Sequence, residues 1–123
     1  MGTLTTLRRD VAVTLTGAGV PTYDHLPPRL SPPCAILAAA EPYLTRDGAP
    51  HGAHRMRLEV RLIAAPGTNE TVTDDLDDLI EQAHKAIDAT TWAVEEVSQP
   101  YNLVIGQASY LAVSLTINDD ITL

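Results

Sequence analysis

The strongest pattern in the chain is an alternation in which Met56, Leu58, Val60, Leu62 and Ala64 are apolar and Arg55, Arg57, Glu59 and Arg61 lie between them, with Ile63 completing the second set. A period of two sends these sets to opposite sides of a strand, so the segment predicts one core face and one charged face. A second pattern has the helical period: Val72, Leu76, Leu79, Ile80, Ala83 and Ile87 form one stripe, which predicts a helix through about Asp88. Thr71, with Asp74 three positions on, matches a capping box at its start. Leu4, Leu7, Val11, Ala12 and Leu15 make a similar stripe near the N-terminus, ended by Gly17 and Gly19.

Shorter apolar runs fill in the rest. Ala35 to Ala40 reads as a buried strand, and Trp92 to Val97 and Ser109 to Ile117 as two more. In the last of these, Leu111, Val113, Leu115 and Ile117 share a face opposite Tyr110, Ala112, Ser114 and Thr116. Thr45-Arg46-Asp47-Gly48-Ala49-Pro50 supplies turn chemistry for a long-tipped hairpin, and Gln99-Pro100-Tyr101-Asn102 with Gly106 reads as a loop or bulge. Pro21, Tyr23 and Leu26 suggest a short extended piece. The prolines 27, 28, 32 and 33 that follow fix φ and lack N–H groups, so this stretch suits a surface crossing or a sheet edge. The order is helix, two strands, helix, two strands. It predicts a single α+β domain over residues 1–123, with a mostly antiparallel sheet of about four strands and two helices packed on one face.

Composition narrows the function. At 123 residues the chain supports one core, and with no Phe and one Trp that core must come from Leu, Ile, Val and Ala. Such a thin core gains from neighbouring subunits. Sixteen Asp and Glu against eight Lys and Arg give a net charge of −8, which opposes duplex DNA binding because that affinity comes from neutralising phosphates. No apolar run approaches membrane-spanning length and the first residues lack signal-peptide order, so a soluble protein, intracellular at synthesis, is expected. Cys34, the only cysteine, has no internal partner and sits among apolar residues, which predicts a buried structural thiol.

Candidate chemistry is sparse. The acid run Asp74-Asp75-Leu76-Asp77-Asp78-Leu79-Ile80-Glu81 offers several carboxylates, but it lies at a predicted helix N-terminus, where the dipole favours negative charge. It lacks the glycine and alternating ligands of a calcium loop, and His84, three residues after Glu81, has no matching second pair. A solvated or interface helix face is the simpler reading. His51 and His54 at the hairpin's end lack the company of a zinc motif and read as turn residues. Neither a nucleophile turn nor a phosphate-cradling glycine loop is present, so no catalytic residue, cofactor or metal is expected. Arg55, Arg57 and Arg61 share one strand face without interleaved aromatics, so pairing with acids, in the same molecule or a neighbour, is favoured over a nucleic-acid groove.

Taken together, several segments resemble the tail terminator proteins of long-tailed bacteriophages, especially those infecting actinobacteria. These are the N-terminal helix through the proline stretch, Cys34-Ala35-Ile36-Leu37, Glu41-Pro42-Tyr43-Leu44, the strand Met56 to Ala64, the helix start from Thr68-Asn69 to Leu79, and Ser109-Tyr110-Leu111-Ala112-Val113. The likeness covers nearly the whole chain. It implies a small α+β virion subunit that forms a hexameric ring at the head–tail junction, stops polymerisation of the tail tube protein and offers a surface to the head–tail connector protein. DNA would pass through such a ring without specific binding, which suits the acidic balance. A closed ring uses one patch against a different patch on the next subunit. The candidate pairing sets Asp74, Asp77, Asp78 and Glu81 against Arg55, Arg57 and Arg61, with Arg46 and Asp47 near the tip of a protruding hairpin. Two other readings compete. One is a connector of the stopper or adaptor class, and the other is a small-molecule-binding α+β domain, which needs a pocket with convergent polar groups.

Overall fold

The computed structural model describes residues 2–46 and 53–122. Eight elements follow in chain order: α1 (Thr3–Gly17), β1 (Thr22–Tyr23), β2 (Cys34–Thr45), β3 (Ala53–Ile63), α2 (Asn69–Asp88), β4 (Ala93–Val97), β5 (Tyr101–Ile105) and β6 (Ala108–Thr122). The strands form one sheet in the order β1-β2-β3-β6-β4, with β5 also paired to β6. Only β1 runs parallel to its neighbour. Ala112 pairs with Ile63 of β3 and with Tyr101 of β5, so β5 lies on the edge of β6 away from β3. β4 occupies the same edge further along, opposite residues 115–118.

The α+β class, the mostly antiparallel sheet and the two helices on one face are as the pattern predicts, but the described strands number six rather than about four. β5 is the main addition, in the segment expected to be a loop or bulge. Gly106, with φ +63°, sits first in a two-residue connection from Ile105 to Ala108, the arrangement of a type II′ turn, and so folds residues 101–105 back on β6. β2 also outruns its expected end at Ala40. Its register against β3 shifts between Ala39 and Leu44, which places Pro42, a residue without an N–H, in the irregular stretch. α2 starts earlier than the Thr71 box implies: Thr68 is the cap, its hydroxyl accepting from the Thr71 N–H at 3.3 Å.

The main core lies between the helices and one face of the sheet. Val11 and Leu15 of α1 and Leu76, Leu79, Ala83 and Ile87 of α2 pack with Met56, Leu58, Val60 and Leu62 of β3 and Val113, Leu115 and Ile117 of β6. Each large aliphatic side chain buried this way contributes about 1.5–3 kcal/mol. The opposite face is not uniformly charged. At one end Cys34, Ile36, Ile63 and Ala112 form a second apolar cluster, covered by Leu30 of the proline stretch and by Leu103 and Ile105 of β5. The proline stretch thus crosses the surface while one of its residues closes this small core. The Cys34 thiol is fully buried there, and burial raises its pKa, as expected of a structural cysteine.

Candidate functional site

Alternation along β3 leaves Arg55, Arg57, Glu59 and Arg61 on the sheet face opposite the helices. Each arginine meets an acid of its own chain. Arg55 Nε donates to Asp120 Oδ1 at 3.3 Å, and Arg61 Nε donates to Glu59 Oε1 at 2.9 Å. Arg57 is held most firmly: its Nε and Nη2 donate to the two carboxylate oxygens of Glu95 at 3.1 and 2.5 Å, and its Nη1 donates to the Glu41 carbonyl at 3.0 Å. Asn118 of β6, opposite Arg57 in register, donates its Nδ2 to Glu95 Oε1 at 3.1 Å. This row therefore ties β3, β6 and β4 together and fastens the irregular part of β2. The hydrogen bonds from Arg57 hold the Glu95 carboxyl below its usual range, and the same contact raises Arg57 further.

Beside this row, Glu59, Arg61, Ser98, Tyr101, Ser114 and Thr116 line a hollow of about 420 Å³. Ser114 Oγ donates to Glu59 Oε1 at 2.9 Å and lies 2.6 Å from the Tyr101 hydroxyl. Because the single serine proton is spent on the carboxylate, Tyr101 is the donor of the second bond. The backbone N–H of Ser114 donates to Ser98 Oγ at 3.0 Å, bridging the gap between β4 and β5. These polar groups are committed to one another, so the hollow is a braced sheet surface. Arg55 and Arg61, by contrast, are engaged through Nε alone, and their outer guanidinium nitrogens have no partner among the described residues.

Asp74, Asp77, Asp78 and Glu81 all project from α2 into solvent, on the far side of the helix from its buried stripe. Among the described residues none of the four has an ion-pair partner. Seven of the sixteen acids, Glu70, Asp74, Asp75, Asp77, Asp78, Glu81 and Asp88, lie on this helix with only Lys85 against them. His84 Nδ1 lies 2.9 Å from Asp88 Oδ2 one turn on. The acidic stripe and the arginine row are therefore on opposite faces of the subunit, brought to no contact within one chain. Arg46 Nε donates to His54 Nε2 at 3.2 Å at the base of the hairpin, whereas Asp47 and His51 lie outside the described residues.

Among the described residues no group of three or more His, Cys, Asp and Glu is placed to hold a metal ion, and no helix is long and apolar enough to cross a membrane. Sequence reasoning missed the acid partners of the arginines. Glu59 was within reach, being two residues from Arg61 and on the same strand face. Glu95, Asn118 and Asp120 required the strand register, which no short pattern contains. Compared with known proteins, the chain matches no family model and no curated sequence.

Proposed function

We propose that this chain is a ring-forming structural subunit of a virion, of the tail-terminator type, acting at the head–tail junction. One observation carries the reading: the acidic stripe of α2 and the arginine row of β3 face in opposite directions from the same sheet. Opposed complementary patches are what a head-to-tail contact needs, since each subunit then offers one patch forward and the other back, and a fixed rotation closes the series. The resemblance over nearly the whole chain supplies the rest: a hexamer on the last ring of the tail tube protein, ending its polymerisation, with the other ring face meeting the head–tail connector protein. The excess of acids keeps such a ring from gripping the DNA that passes through it.

Within this reading the arginines divide their work. Arg57 belongs to the subunit's own framework because every edge of its guanidinium is engaged. Arg55 and Arg61 retain free donors and are the residues that meet Asp74, Asp77, Asp78 and Glu81 of the next subunit, whereas Arg46 is drawn to His54, on the helix-facing register of β3. Light scattering of the native protein across a concentration range, with negative-stain images of the largest species, tests the ring. A closed particle of about six copies is expected. A monomer at every concentration, alone and with tail tube protein added, overturns it.

A further inference from the structure

Residues 97–118 contain no Asp, Glu, Lys, Arg or His, although the chain as a whole carries a net charge of −8. This uncharged stretch is not all core. It includes the hairpin of β5 and β6, where Asn102, Val104 and residues 106–109 are exposed, Val104 at 67%. An open strand edge normally carries a guard against pairing, in the form of charge, proline, a bulge or very short length. The other described edges of this sheet have one. β1 is two residues long and follows Pro21, the part of β2 beyond β1 holds Glu41 and Pro42 at its irregularity, and β4 carries Glu95 and Glu96 beside a register shift. β5 has none of these within residues 101–105.

The outer side of β5 is open. Ile105 and Ala108 close the two-residue turn as a hydrogen-bonded pair, so by alternation Leu103 and Tyr101 also bond to β6, and Val104 and Asn102 turn their N–H and C=O groups away from it. No backbone bond from elsewhere among the described residues reaches either one. On the face opposite the helices, Leu26, Ile36 and Ala38 join Leu103 and Ile105 in an apolar trough of about 330 Å³, with Arg61 the only charged residue in its lining. A strand laid along β5 satisfies the open backbone groups and turns alternate side chains into that trough. We propose that the open edge of β5 receives an extended, uncharged segment of a partner protein, apolar at alternate positions, as an added strand. A second copy of this chain fits less well. Five residues give an edge about 17 Å long, too small by itself for the roughly 800 Å² per partner of a stable contact between folded proteins. Twofold pairing of β5 would also bring two charges of −8 together with no compensating ion pair at the contact. A linear segment needs only the edge and the trough, and its docking does not require the ring.

Amide hydrogen exchange of the full chain tests this, with the peptide acetyl-Lys-Gly-Thr-Val-Thr-Val-Thr-Gly-Lys-amide as the probe. The lysines keep it soluble, and the same peptide N-methylated at the central Thr and the Val after it, which blocks both of its edges, is the comparison. In the free chain the amides of Asn102 and Val104 should exchange faster than those of Leu103 and Ile105. Saturation with the peptide is expected to slow these two by about tenfold or more, and the N-methylated peptide is expected to leave them fast. Val104→Pro removes one outward N–H and no bond to β6, a change an edge strand accepts, and should weaken binding about two- to tenfold, the worth of one hydrogen bond. Leu26→Ser, at a position 59% exposed where folding is not at stake, strips the trough of one wall and should weaken binding as well. Equal binding of the N-methylated peptide, unchanged binding in both variants, or no slowing at Asn102 and Val104 at any peptide concentration overturns the proposal. Protection of these two amides in the free chain that deepens with protein concentration gives the edge to a second copy and overturns it too.

Discussion

Arg57 and Glu95 form a bidentate pair across an intervening strand, with Nε and Nη2 of the guanidinium on the two oxygens of one carboxylate and Asn118 of β6 donating to the same group. The fork geometry, the limited exposure of both side chains and the added bond to the Glu41 carbonyl set this pair apart from an ordinary surface ion pair. Arg57→Ala is expected to lower the unfolding free energy by about 1 kcal/mol, the upper end for a partly exposed pair. Asp120→Ala, which removes a single longer contact from Arg55, should cost less. Urea denaturation of the two variants side by side gives the comparison.

The same pair sets a pH dependence. Contact with Arg57 lowers the Glu95 pKa in the folded chain, so over the glutamate titration range the unfolded chain binds more protons at this site than the folded one. The stabilisation is therefore complete above the ordinary glutamate range, about pH 4.3, and is lost as the pH falls through the lowered folded value. Comparing wild type with Glu95→Gln removes the background from other carboxylates. The difference in stability between them should be constant from neutral pH down to about pH 5 and shrink below about pH 4. A difference that grows as the pH falls contradicts the pairing.

What the sequence made legible here followed from periodicity. The alternation of Met56 to Leu62 and the stripe from Val72 to Ile87 each specify a buried face, and a buried face is what a strand or helix must have to fold. β5 was not legible because Pro100, Asn102 and Gly106 are turn formers in isolation; its place depends on β6 offering a free edge and on Leu103 and Ile105 finding the Cys34 cluster. The Thr68 cap was hidden by a second plausible threonine three residues on. At the candidate interface, the arginine row and the acidic stripe could be read as patterns. Which carboxylate each arginine holds depends on pairings between residues up to 65 positions apart, as for Arg55 and Asp120, and local spacing carries no record of them.

Tyr101 and Ser114 test the bracing of the open sheet face. Tyr101→Phe deletes a donor but leaves Ser114 bonded to Glu59, and should cost about 0.5–1.5 kcal/mol. Ser114→Ala removes the middle of the chain and deprives both Tyr101 and Glu59 of a partner. Because the residues share one network, the double variant should lose less than the two single losses added together, a coupling that a double-mutant cycle in urea measures. Strict additivity contradicts the network.

The proposed contact between subunits predicts a rescue. Asp77→Lys with Glu81→Lys places like charges against Arg55 and Arg61 of the next subunit, while altering only exposed positions on α2 that have no partner among the described residues. Such pairs are weak singly, up to about 1 kcal/mol, but a closed ring repeats the contact at every interface, so a small loss per pair multiplies through closure. The lysine variant should therefore remain folded by circular dichroism while its native mass falls to that of open or single subunits. Mixing it with Arg55→Glu, Arg61→Glu subunits restores opposite charge at both unlike interfaces, Lys against Glu at one and the native acids against arginines at the other, while contacts between like subunits stay repulsive. Mixed rings of even number, with the two variants alternating, should consequently close where neither variant closes alone. Combining all four changes in one chain restores every interface and should return the ring. Raised salt should mimic the single-sided variants, because exposed charge pairs are screened within about 10 Å at 0.1 M ionic strength. A lysine variant that assembles as the wild type does, at low and at high salt alike, would move the contact away from these two faces.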